Sequence, residues 1–359
     1  MGGLVGSNAG SITTSYSTGV VTGSTTLKGL VAVNTGTVTN SYWDTTTSGQ
    51  STSAAGTGLT DTQMMNGSNF SFTFYSSSGN WIMAGYPHLT MENTTSITNA
   101  VQLQLIAVNL TGSYTLANNI GATATSSWNN GTGFSPIGDF VGNFNGQNFT
   151  ITNLYINQSS TNDVGLFGMV AGATIQNVGL VNPQITGNIA VGSLIGSING
   201  YTTLVTTINN VYTLGGTVTG SSSVGGLLGA NNFPITTLSN FALTNAYNSA
   251  SVVGNSGSGT NIGGIIGTNS GTGGGSISQA FNSGSVTAPT GASNIGGIVG
   301  GGRNTLTNVY NIGTITGGSK VGGIMGSSTN LTLTDAYNAG FIQGSSNVVR
   351  SLVVERLRL

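Results

Sequence analysis

Cysteine is absent from the 359 residues. That excludes disulfides, thiolate nucleophiles and cysteine metal sites. Charge is scarce as well: 4 % of residues are charged, against ~25 % in an ordinary soluble domain. Of the six basic residues, Arg350, Arg356 and Arg358 fall in the last ten positions. Nothing is left to neutralise a run of phosphates, so nucleic acid is excluded as a partner. Proline numbers 5, and the 60 glycines follow no strict Gly-X-Y period, so the chain is not collagen-like. The single histidine, His88, follows Tyr-Pro without a partner nearby in sequence and reads as a surface or packing residue. Metal-site spacing of His and Cys is missing too. No apolar run approaches the ~20 residues of a membrane helix. The opening "MGGLVGSNAG" lacks the basic and apolar regions of a secretory signal. It reads as the middle of a repeat, and the chain as a piece of something longer.

What the chain does contain is branched apolar residues, glycine, and two phrases used repeatedly. Disorder is therefore excluded, since disordered chains show the reverse composition. The first phrase appears as "GGLVG" at Gly2, "KGLVA" at Lys28, "VGLFG" at Val164 and "VGSLIG" at Val191, then as "VGGLLG" at Val224, "IGGIIG" at Ile262, "IGGIVG" at Ile295 and "VGGIMG" at Val321. Aligning Gly2 with Gly29 and so on, the copies recur about every 26–38 residues, the signature of a solenoid. The second phrase centres on an aromatic: Tyr16, Tyr42, Tyr212, Tyr247, Phe281, Tyr310 and Tyr337. Short β-branched runs follow it, bounded by Gly and Asn, and these read as short strands between turns. A helix is suggested only at "NAVQLQLIAVNL", 99–110.

Two or three short strands per ~27 residues make one coil of a parallel β-helix, each coil pairing with the next at ~4.8 Å. The reading places Val, Ile, Leu and the aromatic inside, and glycine at corners where φ is positive. Asn248, Asn282, Asn311 and Asn338 each follow the aromatic and are expected to stack as a structural amide ladder at one corner. The expected organisation is the end of a first solenoid array over 1–60, an irregular junction with the start of a second module over 61–135, a second solenoid over 136–346, and an atypical tail over 347–359. Trp43, Trp81, Trp128 and His88 lie in or beside the junction and suggest a small hydrophobic cluster of its own.

The phrases "VGLFG" and "VGGLLG" resemble the GLUG motif of large secreted bacterial surface proteins. The order of parts, namely "YWD", "GLT…QM", "YPHL", "LQLIAVNLTGSYTLANNI", "FSPIGDFVGNFNG" and then the repeats, is similar to modules of filamentous-haemagglutinin-like adhesins. The resemblance runs to about Gly344. It implies a right-handed parallel β-helix, export through an outer-membrane partner, and an adhesive or stalk role outside the bacterial cell.

The residues themselves offer little chemistry. The seven carboxylates, Asp44, Asp61, Glu92, Asp139, Asp163, Asp335 and Glu355, are scattered. A polysaccharide-cleaving β-helix needs them clustered. Asp139 and Asp163 lie about one coil apart and are the one candidate pair, with turn or surface roles expected for both. An ice-binding face would need an unbroken Thr-x-Thr row. Thr217–Thr219 and Thr314–Thr316 begin one, but Ser251, Ser285 and Phe341 interrupt it. No catalytic, cofactor or metal residue is assigned. The expected function is structural and adhesive, through a polar uncharged face. Host-surface or matrix glycans and proteins, or neighbouring solenoid chains, are the expected partners. The alternatives are a carbohydrate-active β-helix enzyme and an ice-binding solenoid.

Overall fold

The computed structural model describes residues 1–74, 79–199, 205–231, 241–270 and 275–349. Most of the expected tail, from residue 350 on, lies outside them. The chain forms two compact units, residues 1–92 with 127–132, and residues 93–126 with 133–359. The segment 61–135 is thus shared between them.

The second unit is the parallel β-solenoid that the repeat predicts. One coil consists of strands Thr206–Leu214, Thr217–Gly220, Ser222–Gly225 and Leu228–Asn231. The next consists of Phe241–Asn248, Ser251–Gly254, Thr260–Gly263 and Ile266–Asn269. All four pair in parallel with their counterparts. Among the described residues the coils build one 15-stranded and one 11-stranded sheet. An apolar column runs up the inside: Ile185, Val218, Val252, Val286 and Ile315 are register partners in turn and all but fully buried. The last described strand, Ile342–Val349, pairs with Ile315–Gly322 through Gly322↔Val349. Parallel pairing therefore runs three residues past the expected start of the tail. At the other end of the unit, the suggested helix forms over Ala100–Leu105, capped by Asn99 Oδ1 on the Gln102 amide. It buries Leu103, Leu105 and Ile106 completely. The Gln104 amide exchanges two hydrogen bonds with the Ser135 backbone, 2.9 Å each.

The first unit pairs Val5–Asn8, Ser11–Thr13 and Tyr16–Ser17 in parallel with Val31–Asn34, Thr37–Thr39 and Tyr42–Asp44. Its glycine phrases align one residue away from the sequence alignment: Gly2 bridges Lys28, not Gly29, and Val5 faces Val31. Thr57–Leu59 pairs with Tyr42–Asp44. A helix at Asp61–Met64 follows, held by a reciprocal capping box between Thr60 and Gln63. An antiparallel hairpin, Trp81–Ala84 with Tyr86–Leu89, turns on Gly85 at φ +81°. A hydrophobic cluster forms here with a different membership from the one expected: Tyr42, Leu59, Met64, Phe70 and Phe72, with Tyr16, Phe74, Trp81 and Tyr86 against it. Of the expected residues it takes in Trp81, while Trp43 packs separately with Leu30 and Val31.

Two sequence expectations are corrected by the coil. Glycine holds some left-handed corners, as at Gly172 and Gly215–Gly216, but most corners are held by other residues. Asn210, Asn245, Gln279, Asn308 and Asp335 have φ between 51° and 54°, two residues before the aromatic. Ala190, Ser223, Asn261, Asn294 and Lys320, with φ between 52° and 64°, hold the corner before the Val/Ile of the glycine phrase. Short polar side chains tolerate that region because they bond locally. The phrase glycines are needed for close approach instead. A Cβ on Gly264 would lie 2.1 Å from Gly297 O and 2.4 Å from Asn282 Cγ, and one on Gly267 would lie 2.4 Å from Ser223 C.

The Lys320 corner gives a testable consequence. One coil before, Asn294 donates to Asn261 Oδ1 at 2.8 Å, while its own Oδ1 is buried and has no partner among the described residues. Lys320→Asn relieves a left-handed lysine and supplies a donor for that oxygen. A gain of about 1 kcal/mol in urea unfolding is expected. A loss of stability would refute the corner assignment.

Candidate functional site: the outward aromatic row

The second correction concerns the aromatic phrase. Tyr212, Tyr247, Phe281, Tyr310 and Tyr337 are register partners coil after coil, as aligned from sequence. They do not point inward. Strands alternate sides, and the inward position is taken by the next residue. Asn248, Asn282 and Asn311 are completely buried. Asn248 Nδ2 donates to Asn282 Oδ1 at 2.8 Å, Asn282 to Asn311 at 2.8 Å, and Asn311 to Asn338 at 2.6 Å. Each of these amides also exchanges bonds with its own backbone two residues on, as Asn282 does with Gly284 N and O. The expected structural ladder is thus inside the coil, and Gly226, Gly264, Gly297 and Gly323 leave room for it. Where the row begins, Thr213 replaces Asn and Ser193 replaces the facing glycine, and their hydroxyls meet at 2.6 Å.

Displaced outward, the rings stack on one another. Tyr247–Phe281, Phe281–Tyr310 and Tyr310–Tyr337 have centroids 4.2, 4.8 and 5.0 Å apart, with interplanar angles of 29°, 5° and 2°. Within the stack, ring faces cover each other, and the Tyr247 hydroxyl meets Ser283 Oγ at 3.0 Å. The row is flanked by the left-handed Asn245, Gln279 and Asn308. Burial, then the neighbouring Tyr337 and Tyr247, raise the Tyr310 phenol above its ordinary value. Tyr310 is half-exposed and has two ring partners, so Tyr310→Ala should cost about 1–2 kcal/mol. A core aromatic would cost ~3–5 kcal/mol. A loss of that larger size on chemical unfolding would place the ring back inside.

The carboxylates fall elsewhere. Asp139 (φ 50°) and Asp163 (φ 56°) are both left-handed turn residues at different stations of the coil. Val164 bridges Val191, whereas Ile137 and Phe140 bridge Phe167 and Val170. Among the described residues no three of His, Cys, Asp and Glu gather as a metal site. His88 does acquire a partner, Glu92 Oε2 at 2.9 Å. Burial would raise the Glu92 carboxyl, but bonds from His88 and the Leu89 amide outweigh it and lower the net value. The Thr-x-Thr row is interrupted as expected: Thr219 continues through Val253, Thr287, Thr316 and Gln343.

Sequence reading missed one acidic meeting point, in the first unit. The Tyr86 hydroxyl lies 2.5 Å from Asp44 Oδ2 and also contacts Asp61 Oδ1. Asp44 is fully buried, and its Oδ1 accepts from the amides of Thr46 and Thr47 at 2.8 and 3.0 Å. Burial first, then these two carboxylates, pushes the Tyr86 phenol far up. Nearby, Tyr16 donates to Pro87 O at 2.6 Å, and burial together with Glu92 raises its phenol to about 12. A raised tyrosine stabilises the fold below its ordinary value near 10 and ceases to as pH climbs through the folded value. The first unit should therefore lose stability between pH 10 and about 12, and Tyr16→Phe should flatten that loss. Tryptophan-fluorescence melts can follow it, since Trp43, Trp81 and Trp128 all lie in this unit. A wild-type midpoint independent of pH over that range would refute the assignment.

Fold and face together define a parallel β-solenoid that presents side chains in rows. No family model matches the chain. A stretch of 90 residues, 24 % of this chain, is 50 % identical to halomucin from Haloquadratum walsbyi (strain DSM 16790 / HBSQ001), of which it spans 1 %. A solved structure of a candidate immunoglobulin A1 protease from Bacteroides ovatus is similar at a TM-score of 0.55 and 23 % identity, over 80 % of this chain and 84 % of that one. At that identity the likeness is one of fold. No helix among the described residues is long and apolar enough to cross a membrane.

Proposed function

We propose that the chain is a structural and adhesive section of a large exported surface protein of the GLUG-bearing, filamentous-haemagglutinin-like kind, and that it is not an enzyme. The observation that carries this reading is the outward row of stacked aromatic edges flanked by neutral amides, repeated coil after coil. Repetition lets individually weak contacts add through effective concentration, which suits adhesion better than turnover. The halomucin segment supports the same reading: the match covers 1 % of a very long protein that bears a mucin name. The protease name of the Bacteroides ovatus structure points elsewhere, but Asp139 and Asp163, at separate corners, offer no paired acid and base.

Beads coated with the purified chain should adhere to mucin- or matrix-coated glass more than albumin-coated beads do, and Tyr247→Ala/Tyr310→Ala should weaken that adhesion. Antibody raised to the chain should label intact cells that produce it. Equal adhesion by both kinds of bead would overturn the adhesive part. Polysaccharide hydrolysis abolished by Asp139→Asn/Asp163→Asn would replace the reading with an enzyme.

A further inference from the structure

The aromatic row has a gap at its first step. Tyr212 is the register partner of Tyr247, yet among the described residues it makes no ring contact, while the three steps above it all stack. The cause lies one coil earlier. The position paired with Tyr212 is Gly179, and a Cβ there would lie 2.1 Å from Tyr212 Cζ. The Tyr212 ring lies over that bare backbone instead of rising against Tyr247. What remains is a cavity of about 300 Å³, open to solvent, whose lining includes Tyr212, Tyr247, Phe281, Asn210, Asn245 and Gln279.

The lining specifies a ligand chemistry. Its exposed surface is mostly apolar, with aromatic rings from three successive coils, and none of its residues is charged. Three amide-bearing residues of the lining sit at the left-handed corner, where φ is 53° for Asn210, 53° for Asn245 and 52° for Gln279, and Asn245 Nδ2 donates to Asn209 Oδ1 at 3.3 Å. Asn210 Nδ2 is already engaged by Asn177 Oδ1 at 2.9 Å and Asn148 Oδ1 at 3.0 Å, so this amide is held in place and has its oxygen left to accept. The Gln279 amide has no hydrogen-bond partner among the described residues. A volume at the low end of small-ligand cavities, ~300–1,000 Å³, admits a single ring. An anion or cation would find no counter-charge here and would lose hydration without return. A purely apolar ring would leave the amides unanswered. A ring with C–H groups on its faces and hydroxyls around its rim answers both.

We infer that this gap is a binding subsite for one neutral pyranose residue of an uncharged glycan. The ring lies on Tyr212, and its rim hydroxyls donate to Asn210 Oδ1 and exchange bonds with Gln279. The inference deepens the adhesive reading and rests on the outward row being a contact face.

The test uses the full chain and methyl glycosides of glucose, galactose and N-acetylglucosamine, with glucuronate and N-acetylneuraminate as charged comparisons. Saturation-transfer NMR and calorimetry should detect at least one neutral glycoside binding at millimolar affinity or better. Tyr212→Ala should weaken it by about tenfold or more and Gln279→Ala by several-fold. Both side chains reach solvent, so the variants should fold, which far-UV circular dichroism checks. Thr305→Ala, at an exposed position outside both the row and the cavity lining, should leave binding unchanged. The subsite is overturned if no neutral glycoside binds at tens of millimolar, if the charged sugars bind instead, or if folded Tyr212→Ala and Gln279→Ala bind as the wild type does. Bead adhesion that persists without any glycoside binding removes the subsite and leaves the adhesive reading. Glycoside binding without bead adhesion does the opposite.

Discussion

Replacing Asn282 by alanine should lower the unfolding free energy of the second unit by about 3–5 kcal/mol. Asn282 is fully buried, and every hydrogen-bonding group of its amide is in use. It donates to Asn311 Oδ1 and Gly284 O at 2.8 Å each, and accepts from Asn248 Nδ2 at 2.8 Å and Gly284 N at 3.2 Å. Truncation removes four hydrogen bonds where water has little access. Asn311 Oδ1, Asn248 Nδ2 and Gly284 N each keep one partner, Gly313 N, Ala250 O and Asn248 O, so the loss is about 1 kcal/mol per bond. Asn282→Asp should fare no better, because a carboxylate has no proton for Gly284 O or Asn311 Oδ1 and adds a buried charge. Thr305→Ala, an exposed position paired with Ser276 of the same coil as Asn282, should change stability by less than ~0.5 kcal/mol. Urea unfolding followed by far-UV circular dichroism reads the effect. A change within ~0.5 kcal/mol for Asn282→Ala would show that the ladder contributes nothing to stability.

How the repeat was legible, and where it was not, follows from the same ladder. Register was readable because two phrases recur together: the structure pairs Val191, Val224, Ile262, Ile295 and Val321 in the aligned order. The face was not readable. In a strand of period two, "Tyr-Asn" places one residue inside and the other outside, and hydrophobicity favours the ring. What reverses the choice is geometry between coils. The corner runs beneath the phrase glycines, where the amide carbon of Asn282 comes within 2.4 Å of a Cβ built on Gly264, so a planar amide fits and a phenol ring does not. Stacked amides also satisfy one another completely, so the usual penalty for burying them does not arise. The glycine role was misread for a related reason. Composition shows that glycine is abundant, but close approach of two backbones looks the same in sequence as a positive φ. The subsite was invisible because it depends on a mismatch, Gly179 beneath Tyr212, in a row otherwise aromatic.

These features bear on what such a section does. Buried ladders on the inside hold the coils at one fixed register, since a slip would leave amides unpaired at every level. The outer row inherits that order. Aromatic edges therefore recur at the coil spacing without needing charge to orient them, and a face built so keeps its contacts at any ionic strength, because screening acts on charges. Binding by the purified chain to mucin-coated glass should accordingly vary little with added salt.

Tyr86→Phe is the change with the largest expected effect on the first unit, about 3 kcal/mol. The hydroxyl removed is the partner of Asp44 Oδ2, and Asp44 is fully buried. Its other oxygen is held by the amides of Thr46 and Thr47, which fix the turn after Tyr42–Asp44. Without Tyr86, half of a desolvated carboxylate faces the aromatic cluster with nothing to donate to it. Asp61 also meets this hydroxyl but sits on the first turn of an exposed helix, where water can replace the phenol. Asp61→Asn should therefore cost less than ~1 kcal/mol. A double-mutant cycle isolates the pair: with Asp44→Asn already in place, adding Tyr86→Phe should cost clearly less than it does alone, because no charge is left stranded. Trp43, Trp81 and Trp128 make fluorescence a reporter of this unit, so the shift should appear in the fluorescence transition. Additive effects of Tyr86→Phe and Asp44→Asn, or a Tyr86→Phe midpoint equal to the wild type, would show that water already serves Asp44 and that the tyrosine is only packed there.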